Sequence, residues 1–395
     1  MDGAVVMAKK KILIVAHHLT VGGVQKSLIS ALKLLDYDKY DITLYLRKNR
    51  TDLLGFIDNR VKVIINEDPH HYYRKPYAIL LQAKELLYKL FKNKEKVEKA
   101  KADLAEKIVE DSMLYEERTY FRSEKYDIAV AYVQGYTAAF VAEHIQADKK
   151  IVFFHTSTDD HHDMHERILP VFNTVVALHS EQQKLIESWY PETRGKIKIV
   201  ENYSDKSFIL EQSKAFEIKK MEKLCLCSCG RFATVKGFDL AVKAAEILNK
   251  HNLDFVWYFV GDGPERQHLE KMISDRRLEE RVLITGMQKN PYPYMAACNI
   301  YVQPSYEESW GLTIVEAQQL LKPVVTTATV GGRKLVSDGE NGVICEISAE
   351  AIAGSVENLI ADNELRVKIT ENLKNCDKVS DAYDFKAQWR NILEG

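Results

Sequence analysis

Two glutamates, Glu308 and Glu316, lie eight positions apart within the segment 304–316. The segment follows a short apolar run and leads into a run with helical spacing, which predicts a strand, a turn and a helix. Gly311 permits a close backbone approach, so the amides of residues 311–314 become available to an anion at the helix start. Glu316 lies one turn into the helix, where a carboxylate can bind the hydroxyl pair of a ribose. The alternative is a helix with an acidic residue in its first turn and no ligand.

Two cations form a second pattern in the segment 229–237, after another apolar run. Arg231 and Lys236 are five positions apart, and each is next to a glycine, Gly230 or Gly237. An arginine fork and a lysine point charge together suit a diphosphate. The alternative interpretation is two solvated cations on a loop.

A third turn, at residues 260–265, contains Gly261 and again joins a predicted strand to a helix. It is similar to a nucleotide-binding turn, but the full G-x-G-x-x-G fingerprint is missing, so dinucleotide binding is weakly indicated. A P-loop sequence, G-x-x-x-x-G-K-[ST], does not occur in the chain.

Strands and helices must alternate to position these turns, and the sequence predicts two such series. The first series has predicted strands at 11–16, 41–46, 61–65, 126–132, 150–155, 174–178 and 196–200. The second has them at 224–228, 255–260, 282–285, 300–303 and 323–327. Buried apolar runs that alternate with helices are typical of parallel sheets. We therefore expect an α/β protein with two Rossmann-like, doubly wound domains that face a cleft.

The expected domain limits follow from this alternation. Residues 1–202 form the predicted N-terminal domain, and residues 203–379 form the predicted C-terminal domain. The polar stretch 203–221 is the candidate linker. Residues 380–395 are predicted to form a C-terminal helix.

A basic helical insertion at about 70–122 interrupts the first series, with apolar residues at helical spacing and an excess of lysines. One interpretation is a helical cap with a solvated lysine face. The other is a helix that lies on an anionic membrane surface.

Composition limits the function classes. The chain has 395 residues and a net charge of −2, which argues against nucleic-acid binding. Six cysteines include three alternating ones, Cys225, Cys227 and Cys229, which predict a strand with buried thiols rather than a zinc or redox site. The sequence indicates neither a signal peptide nor a membrane span. A cytoplasmic location is expected, peripheral at the inner face of the cell membrane if the insertion binds lipid.

Taken together, these patterns resemble glycosyltransferase family 4, whose members have the GT-B fold and retain the anomeric configuration. The resemblance reaches over most of the chain and is densest from Cys229 to Ile347. Its motifs match Gly230, Arg231, Lys236 and Gly237, the turn 261–264, Glu308 and Glu316, and the later glycine motifs at 331–332 and 338–342.

The resemblance implies a role for each of these residues. Arg231 and Lys236 would bind the donor diphosphate and stabilise it as it leaves. Glu316 would bind the ribose, and Glu308 the hydroxyls of the transferred sugar. His155, at the exit of a strand, would face the sugar near the reacting centre. Further donor contacts are implied for Gly22, Gly23, Gly230, Gly261, Met287, Gly311, Leu312 and Thr313.

The resemblance implies that residues 1–202 form the acceptor-side domain and residues 203–379 the nucleotide-sugar-binding domain. It implies that the helix at 380–395 crosses back to the N-terminal domain. It also implies the substrates. The donor would be a nucleotide diphosphate sugar, with UDP favoured, and no cofactor or metal would be required. The acceptor would be a saccharide or a lipid-linked saccharide of bacterial surface polysaccharide or glycoconjugate synthesis, and a partner subunit is a further expectation. The alternatives are an epimerase or phosphorylase on the same fold, a non-catalytic nucleotide-sugar-binding partner, or a dinucleotide oxidoreductase.

Three features depart from the family pattern. Gln25 stands where many relatives have an acid, and Trp310 stands where phenylalanine is commoner. The segment 159–165 concentrates aspartates and histidines, which suggests either a structural or acceptor-binding loop or a metal site.

Overall fold

The computed structural model describes residues 8–66, 121, 123–156, 158–159, 161–218, 223–375 and 382–395. These residues group into two compact units. The first unit comprises Met1–Thr20, Leu35–Val200 and Gln388–Gly395. The second comprises Val21–Leu34 and Glu201–Ala387. The domain limits expected at residues 202 and 379 stay predictions.

The first unit contains a sheet of seven strands in the order β3-β2-β1-β4-β5-β6-β7. Every pairing in it is parallel. The strands are β1 Lys10–Ala16, β2 Tyr40–Leu46, β3 Lys62–Ile65, β4 Lys125–Ala131, β5 Gln146–Phe153, β6 Thr174–Ala177 and β7 Ile197–Ile199. The carboxyl ends of these strands therefore lie at one edge of the sheet, which is where open parallel sheets bind ligands.

Helices and helical turns connect the strands of the first unit. The α-helices are Tyr136–His144, His162–Ile168 and Ser180–Trp189, and the short 3-10 turns are Leu54–Phe56, Leu169–Val171 and Pro191–Thr193. Buried side chains of strands and helices pack together, including Leu13, Val152 and Phe140.

The second unit contains a parallel sheet of six strands in the order β10-β9-β8-β11-β12-β13. The strands are β8 Leu224–Cys229, β9 Phe255–Val260, β10 Val282–Gly286, β11 Ile300–Gln303, β12 Val324–Thr327 and β13 Val343–Cys345. The α-helices are Gly23–Leu34, Lys206–Gln212, Phe238–Lys250, Arg266–Asp275, Tyr292–Ala297, Leu312–Gln319, Val330–Leu335, Ala349–Ala361 and Asn363–Asn375, with a 3-10 turn at Thr234–Lys236. A last helix, Ala382–Glu394, begins in the second unit and ends in the first.

Successive side chains of β8 and β9 are buried on opposite faces of this sheet, which requires helices on both faces. Phe255, Trp257 and Phe259 pack in one apolar cluster. Val256 and Tyr258 pack in another, together with Cys225, Cys227 and Cys229 of β8. Both faces of a strand must be apolar when helices flank the sheet on two sides. The prediction of buried thiols on this strand is confirmed, and all three are free.

The strands predicted from the sequence are present, and the α/β class with two doubly wound sheets is confirmed. Within the candidate linker 203–221, the segment Lys206–Gln212 is helical, and the linker itself stays a prediction. Asp205 caps this helix by accepting hydrogen bonds from the amides of Ser207 and Phe208, a signal that favours a helix start. The predicted basic insertion lies outside the described residues except for Phe121.

Candidate functional site

The lysine and the first glutamate of the two sequence motifs form an ion pair. Lys236 Nζ and Glu308 Oε2 are 2.6 Å apart. Lys236 ends the turn that follows β8, whereas Glu308 lies in the loop between β11 and the helix Leu312–Gln319. Both strands end at the same edge of the parallel sheet, so residues 72 positions apart in the chain meet there.

Gln303, the last residue of β11, connects this pair to the helix. Its Nε2 donates to Ser305 Oγ at 2.9 Å and to Glu308 Oε2 at 3.3 Å. Its Oε1 accepts from Tyr301 Oη and from Thr313 Oγ1, both at 2.9 Å. Gln303 is buried, and both polar atoms of its side chain are hydrogen-bonded, as buried polar groups require. These bonds hold the loop in place relative to the start of the helix.

Two glycines allow these loops to approach each other. Gly237 has a φ of +65°, and a Cβ there would lie 2.0 Å from the carbonyl oxygen of Pro304. Gly311 has a φ of +90°, and a Cβ there would lie 3.3 Å from Glu308 Cγ. Glycine adopts such positive φ values without the steric cost of a side chain.

The helix Leu312–Gln319 begins directly after Gly311. Within the described part of the chain, the amides of Gly311, Leu312 and Thr313 donate no hydrogen bond. Amides at a helix start point outward along the axis and favour an anion there. The phosphate contacts expected of these three residues remain predictions.

Glu316 is buried on this helix, with a side chain 1 % exposed. Its carboxylate accepts from Lys26 Nζ at 2.9 and 3.1 Å and from Tyr292 Oη at 3.0 Å. Lys26 Nζ also lies 4.7 Å from the centre of the Tyr292 ring. A buried carboxylate needs such partners, because an unpaired one is costly away from water. Burial raises the pKa of Tyr292 well above its usual value, and the Glu316 charge adds to this.

The glycines of the first loop belong to the second unit, in the segment Val21–Leu34. Gly23 begins the helix Gly23–Leu34, and a Cβ on it would lie 3.3 Å from Leu312 Cδ1. A Cβ on Gly22 would lie 2.5 Å from Gln25 Oε1. The first loop thus lies against the start of the Leu312–Gln319 helix, near the residues that the sequence motifs singled out.

Other predicted donor residues lie at the same sheet edge with less defined contacts. Arg231 is exposed and makes no side-chain hydrogen bond or ion pair within the described residues. Gly230 follows β8 and lies against Gly261, where a Cβ would be 1.9 Å from the Gly230 carbonyl oxygen. Met287 follows β10 and is 51 % exposed. The structure therefore brings Lys236, Glu308 and the helix start into one network and leaves Arg231 and Met287 at the surface.

His155 lies in the first unit, just after β5. Its ring is 5.1 Å from Tyr132 and 6.0 Å from Phe153, measured between centroids. Neither ring nitrogen is exposed, and neither makes a close hydrogen bond among the described residues. Burial lowers the pKa of His155 to about 4, although the Tyr132 backbone opposes this shift, so the ring is neutral at pH 7.

The segment 159–165 builds a hydrogen-bonded network in the first unit. Asp159 accepts from the Tyr190 hydroxyl and lies 2.5 Å from His162 Nδ1. His165 Nε2 accepts from the amide of Gly135 at 2.9 Å, while its Nδ1 lies 3.0 Å from Tyr190 Oη. No group of three or more His, Cys, Asp or Glu is arranged to hold a metal ion in the described ranges. The structural or acceptor-loop interpretation of this segment and the metal-site interpretation both stay predictions.

Three contributors were missed in the sequence, namely Lys26, Tyr292 and Gln303. Lys26 lies in the first turn of the helix that begins at Gly23, and its position close after Gly22 and Gly23 could have drawn attention to it. Tyr292 and Gln303 have no sequence signal, because only the fold places them beside Glu316 and Glu308.

Among the helices described, none is long and apolar enough to cross a membrane.

Comparison with known protein families gives one match to a family model. Residues 210–375 match the family described as glycosyl transferases group 1. This range is less than half of the chain and includes Lys236, Glu308 and Glu316.

Two curated relatives are similar over the same part of the chain. The lipopolysaccharide core biosynthesis glycosyltransferase LpsE of Rhizobium meliloti is 31 % identical over 179 residues, 45 % of this chain and 52 % of that protein. The alpha-D-kanosaminyltransferase of Streptomyces kanamyceticus is 36 % identical over 146 residues, 36 % of this chain and 38 % of that protein. The chain thus spans about half or less of the length of these relatives.

Solved structures are similar over nearly the whole chain. The crystal structure of Anabaena HepE in complex with UDP-glucose has a TM-score of 0.71 and 18 % identity, and the match covers 98 % of this chain and 99 % of that one. Identity at this level shows the fold alone. The chain therefore has the GT-B fold, and its segment 210–375 is similar to the group 1 glycosyl transferases.

Proposed function

We propose that this protein is a retaining glycosyltransferase of family 4 that uses a nucleotide diphosphate sugar, with UDP as the nucleotide. It transfers a hexose or N-acetylhexosamine to a saccharide or lipid-linked acceptor in bacterial surface polysaccharide or glycoconjugate synthesis. The reaction takes place on the cytoplasmic side. Peripheral membrane contact through the segment 70–122 and a partner subunit stay predictions.

The observation behind this proposal is the network around Lys236 in the second unit. A cation 2.6 Å from a carboxylate, beside a helix start with available amides, suits a ligand with a diphosphate and a hydroxyl-bearing sugar. Lys236 and Arg231 bind the diphosphate, Glu308 binds sugar hydroxyls, and Glu316 binds the ribose. The similarity of residues 210–375 to group 1 glycosyl transferases supports these roles.

The chemistry follows from the charges. When the bond between the anomeric carbon and the phosphate oxygen breaks, its electron pair stays on the diphosphate and the sugar becomes oxocarbenium-like. Lys236, Arg231 and the helix amides stabilise that negative charge, and fixed donors of this kind are the largest contributor in many enzymes. The acceptor hydroxyl oxygen then bonds to the anomeric carbon from the side of the leaving group, and its proton passes to the diphosphate. This route retains the anomeric configuration and requires no protein base.

The nucleotide and sugar in the donor are supported by comparison only. The HepE structure is a complex with UDP-glucose. The relative from Streptomyces kanamyceticus is named for transfer of an alpha-D-kanosaminyl group.

Product analysis tests this proposal. The purified protein is incubated with UDP-glucose or UDP-N-acetylglucosamine, alone and with a panel of saccharide acceptors, and products are identified by mass spectrometry and NMR. We expect UDP and a glycoside with the donor's anomeric configuration, formed only when an acceptor is present. Isomerisation of the donor alone indicates an epimerase, formation of a sugar phosphate from added phosphate indicates a phosphorylase, and nucleotide binding without turnover indicates a non-catalytic subunit. Each of these three outcomes contradicts the proposal.

A further inference from the structure

Two loops at the carboxyl ends of β1 and β2 bring basic side chains together in the first unit. The amide of Arg47 donates to the carbonyl oxygen of Ala16 at 3.0 Å, and that of Lys48 donates to His17 at 2.8 Å. The amide of Leu19 donates in turn to the carbonyl oxygen of Arg50 at 2.7 Å. These bonds hold the two loops side by side. We call their basic residues the basic edge: His17, His18, Arg47, Lys48 and Arg50.

The cations of the basic edge differ in their surroundings. Arg47 is 4 % exposed, donates to the carbonyl oxygen of Tyr136 at 2.9 Å and lies 5.0 Å from the Phe140 ring centre. Lys48 is half-buried and Arg50 is exposed, and neither forms an ion pair or a side-chain hydrogen bond with any residue that the structure describes. A half-buried lysine with no acid beside it, such as Lys48, is uncommon, because lysines are buried chiefly where they are paired.

The positive charges of this cluster lower the pKa of both histidines. The pKa of His17 is lowered to about 4, by burial first and then by the positive charges of Lys48, His18, Arg47 and Arg50 in that order. The pKa of His18 is also lowered, by burial first and then by Arg50 and Lys48, while Asp52 opposes this. The cations of the loop after β2 therefore act on the two histidines of the loop after β1, and the charge of Asp52 opposes them at His18.

We propose that the basic edge binds a phosphate group carried by the acceptor saccharide. This inference rests on the proposed function, because it specifies the acceptor of that reaction. Its place at the carboxyl ends of β1 and β2 is where parallel sheets bind ligands. The proposed donor groups, Lys236 and Glu308, belong to the second unit and are a separate set of residues.

The chemistry of these side chains favours phosphate over a neutral hydroxyl group. Lysine and arginine side chains donate charge-assisted hydrogen bonds to phosphate oxygens, and such bonds are stronger than neutral ones. Neutral His17 and His18 add donors that gain a proton more readily once an anion is bound. The acceptor is therefore the product of a reaction that attaches phosphate to a sugar.

Binding measurements at saturating UDP test this inference, since UDP occupies the proposed donor site. Glucose 6-phosphate and glucose are titrated into the wild-type protein, the double variant Lys48→Ala, Arg50→Ala, and the control Lys62→Ala. Lys62 is an exposed lysine at the start of β3, at the opposite edge of the same sheet. The pKa of His17 is followed by NMR in the same samples, and vesicles with 30 % phosphatidylglycerol form a separate arm.

We expect glucose 6-phosphate to bind the wild type and Lys62→Ala equally, and the double variant about tenfold or more weakly. Glucose should bind all three weakly, and bound phosphosugar should raise the pKa of His17. Equal binding by the double variant, equal affinity for glucose, or binding to vesicles alone would overturn the inference. Failure of the proposed function shows separately, as loss of UDP binding or absence of sugar transfer while the phosphosugar still binds the basic edge.

Discussion

At the scale of single residues, Lys236 is the side chain whose loss should affect turnover most directly. We expect Lys236→Ala to lower kcat/KM by roughly 10²–10³, the usual effect of removing one fixed donor to a developing negative charge. The side chain of Lys236 is 28 % exposed and that of its partner Glu308 is 11 % exposed. We therefore expect the loss of this ion pair to change the free energy of unfolding by less than about 1 kcal/mol. Steady-state kinetics and thermal melts measure the two effects.

Lys250→Ala is the matched control for this variant. Lys250 also pairs with a glutamate, Glu246 at 2.6 Å, but on the helix Phe238–Lys250 and 68 % exposed. It should leave kcat/KM unchanged. Wild-type turnover in Lys236→Ala, or an equal loss in both variants, would remove Lys236 from the site.

The buried His155 should make stability depend on pH in a defined direction. Its pKa is about 4 in the folded protein, whereas it is about 6.5 in the unfolded chain. As the pH falls, the unfolded state therefore binds a proton before the folded state does. The contribution of His155 to the free energy of unfolding is complete above pH 6.5 and is lost as the pH falls towards 4. The shift corresponds to about 3 kcal/mol.

The variant His155→Phe keeps a ring between Tyr132 and Phe153 and removes the titration. The fall in its unfolding free energy between pH 6.5 and 4 should be smaller than that of the wild type by an amount of this order. Urea melts across that range measure it, with the exposed His268→Gln as a control. If the unfolding free energy of His155→Phe fell as much as that of the wild type between pH 6.5 and 4, His155 would not titrate in that pH range.

The sequence predicted residues of this site unevenly. Lys236, Glu308 and Glu316 could be predicted because each follows a strand that ends at the same edge of the sheet, and the fold brings the first two into contact. Their roles stay predictions. Lys26 and Tyr292 were missed, because their role depends on a buried contact with Glu316 that local patterns do not encode. The cluster around Asp159 is visible in the composition of the sequence, but its hydrogen bonds to Tyr190 and His162 depend on the fold.

At the scale of elements, the turn after β8 depends on a backbone conformation. Gly237 has a φ of +65°, and a Cβ there would lie 2.0 Å from the Pro304 carbonyl oxygen. We expect Gly237→Ala to destabilise the fold by about 1–3 kcal/mol and to separate Lys236 from Glu308. Urea melts measure the first effect, and kcat/KM should fall with the second.

Gly354→Ala is the control at this scale. Gly354 lies inside the helix Ala349–Ala361, and a Cβ there would meet no atom within 4 Å. Alanine should stabilise that helix by up to about 1 kcal/mol. If Gly237→Ala behaved like Gly354→Ala, the close approach to Pro304 would not constrain the turn.

Long apolar runs made most elements predictable, and short or polar ones less so. The strand β9, Phe255–Val260, was predicted with the same bounds because every residue in it is apolar and buried. β13, Val343–Cys345, was missed because three residues give no periodic pattern. The helix Lys206–Gln212 was missed because its polar surface outweighs one buried residue, Ile209.

At the scale of the whole molecule, the two parallel sheets follow from the two series of alternating elements in the sequence. The sequence did not show that Val21–Leu34 groups with the second unit, because that grouping depends on contacts such as Lys26 with Glu316. The same grouping places the first loop with the residues that the family match covers. The proposed nucleotide site can therefore be tested as one set of residues.

The measurement that tests the central claim most directly is thermal unfolding with UDP, GDP, TDP, CMP or NAD, for wild type and Glu316→Ala. A nucleotide at 100 times its dissociation constant stabilises a protein by about 2.7 kcal/mol. We predict that UDP raises the melting temperature of the wild type and that Glu316→Ala loses most of this shift, whereas Glu307→Ala, an exposed neighbour of Glu308, keeps it. Stabilisation by NAD alone, or a UDP shift unchanged in Glu316→Ala, would contradict the account.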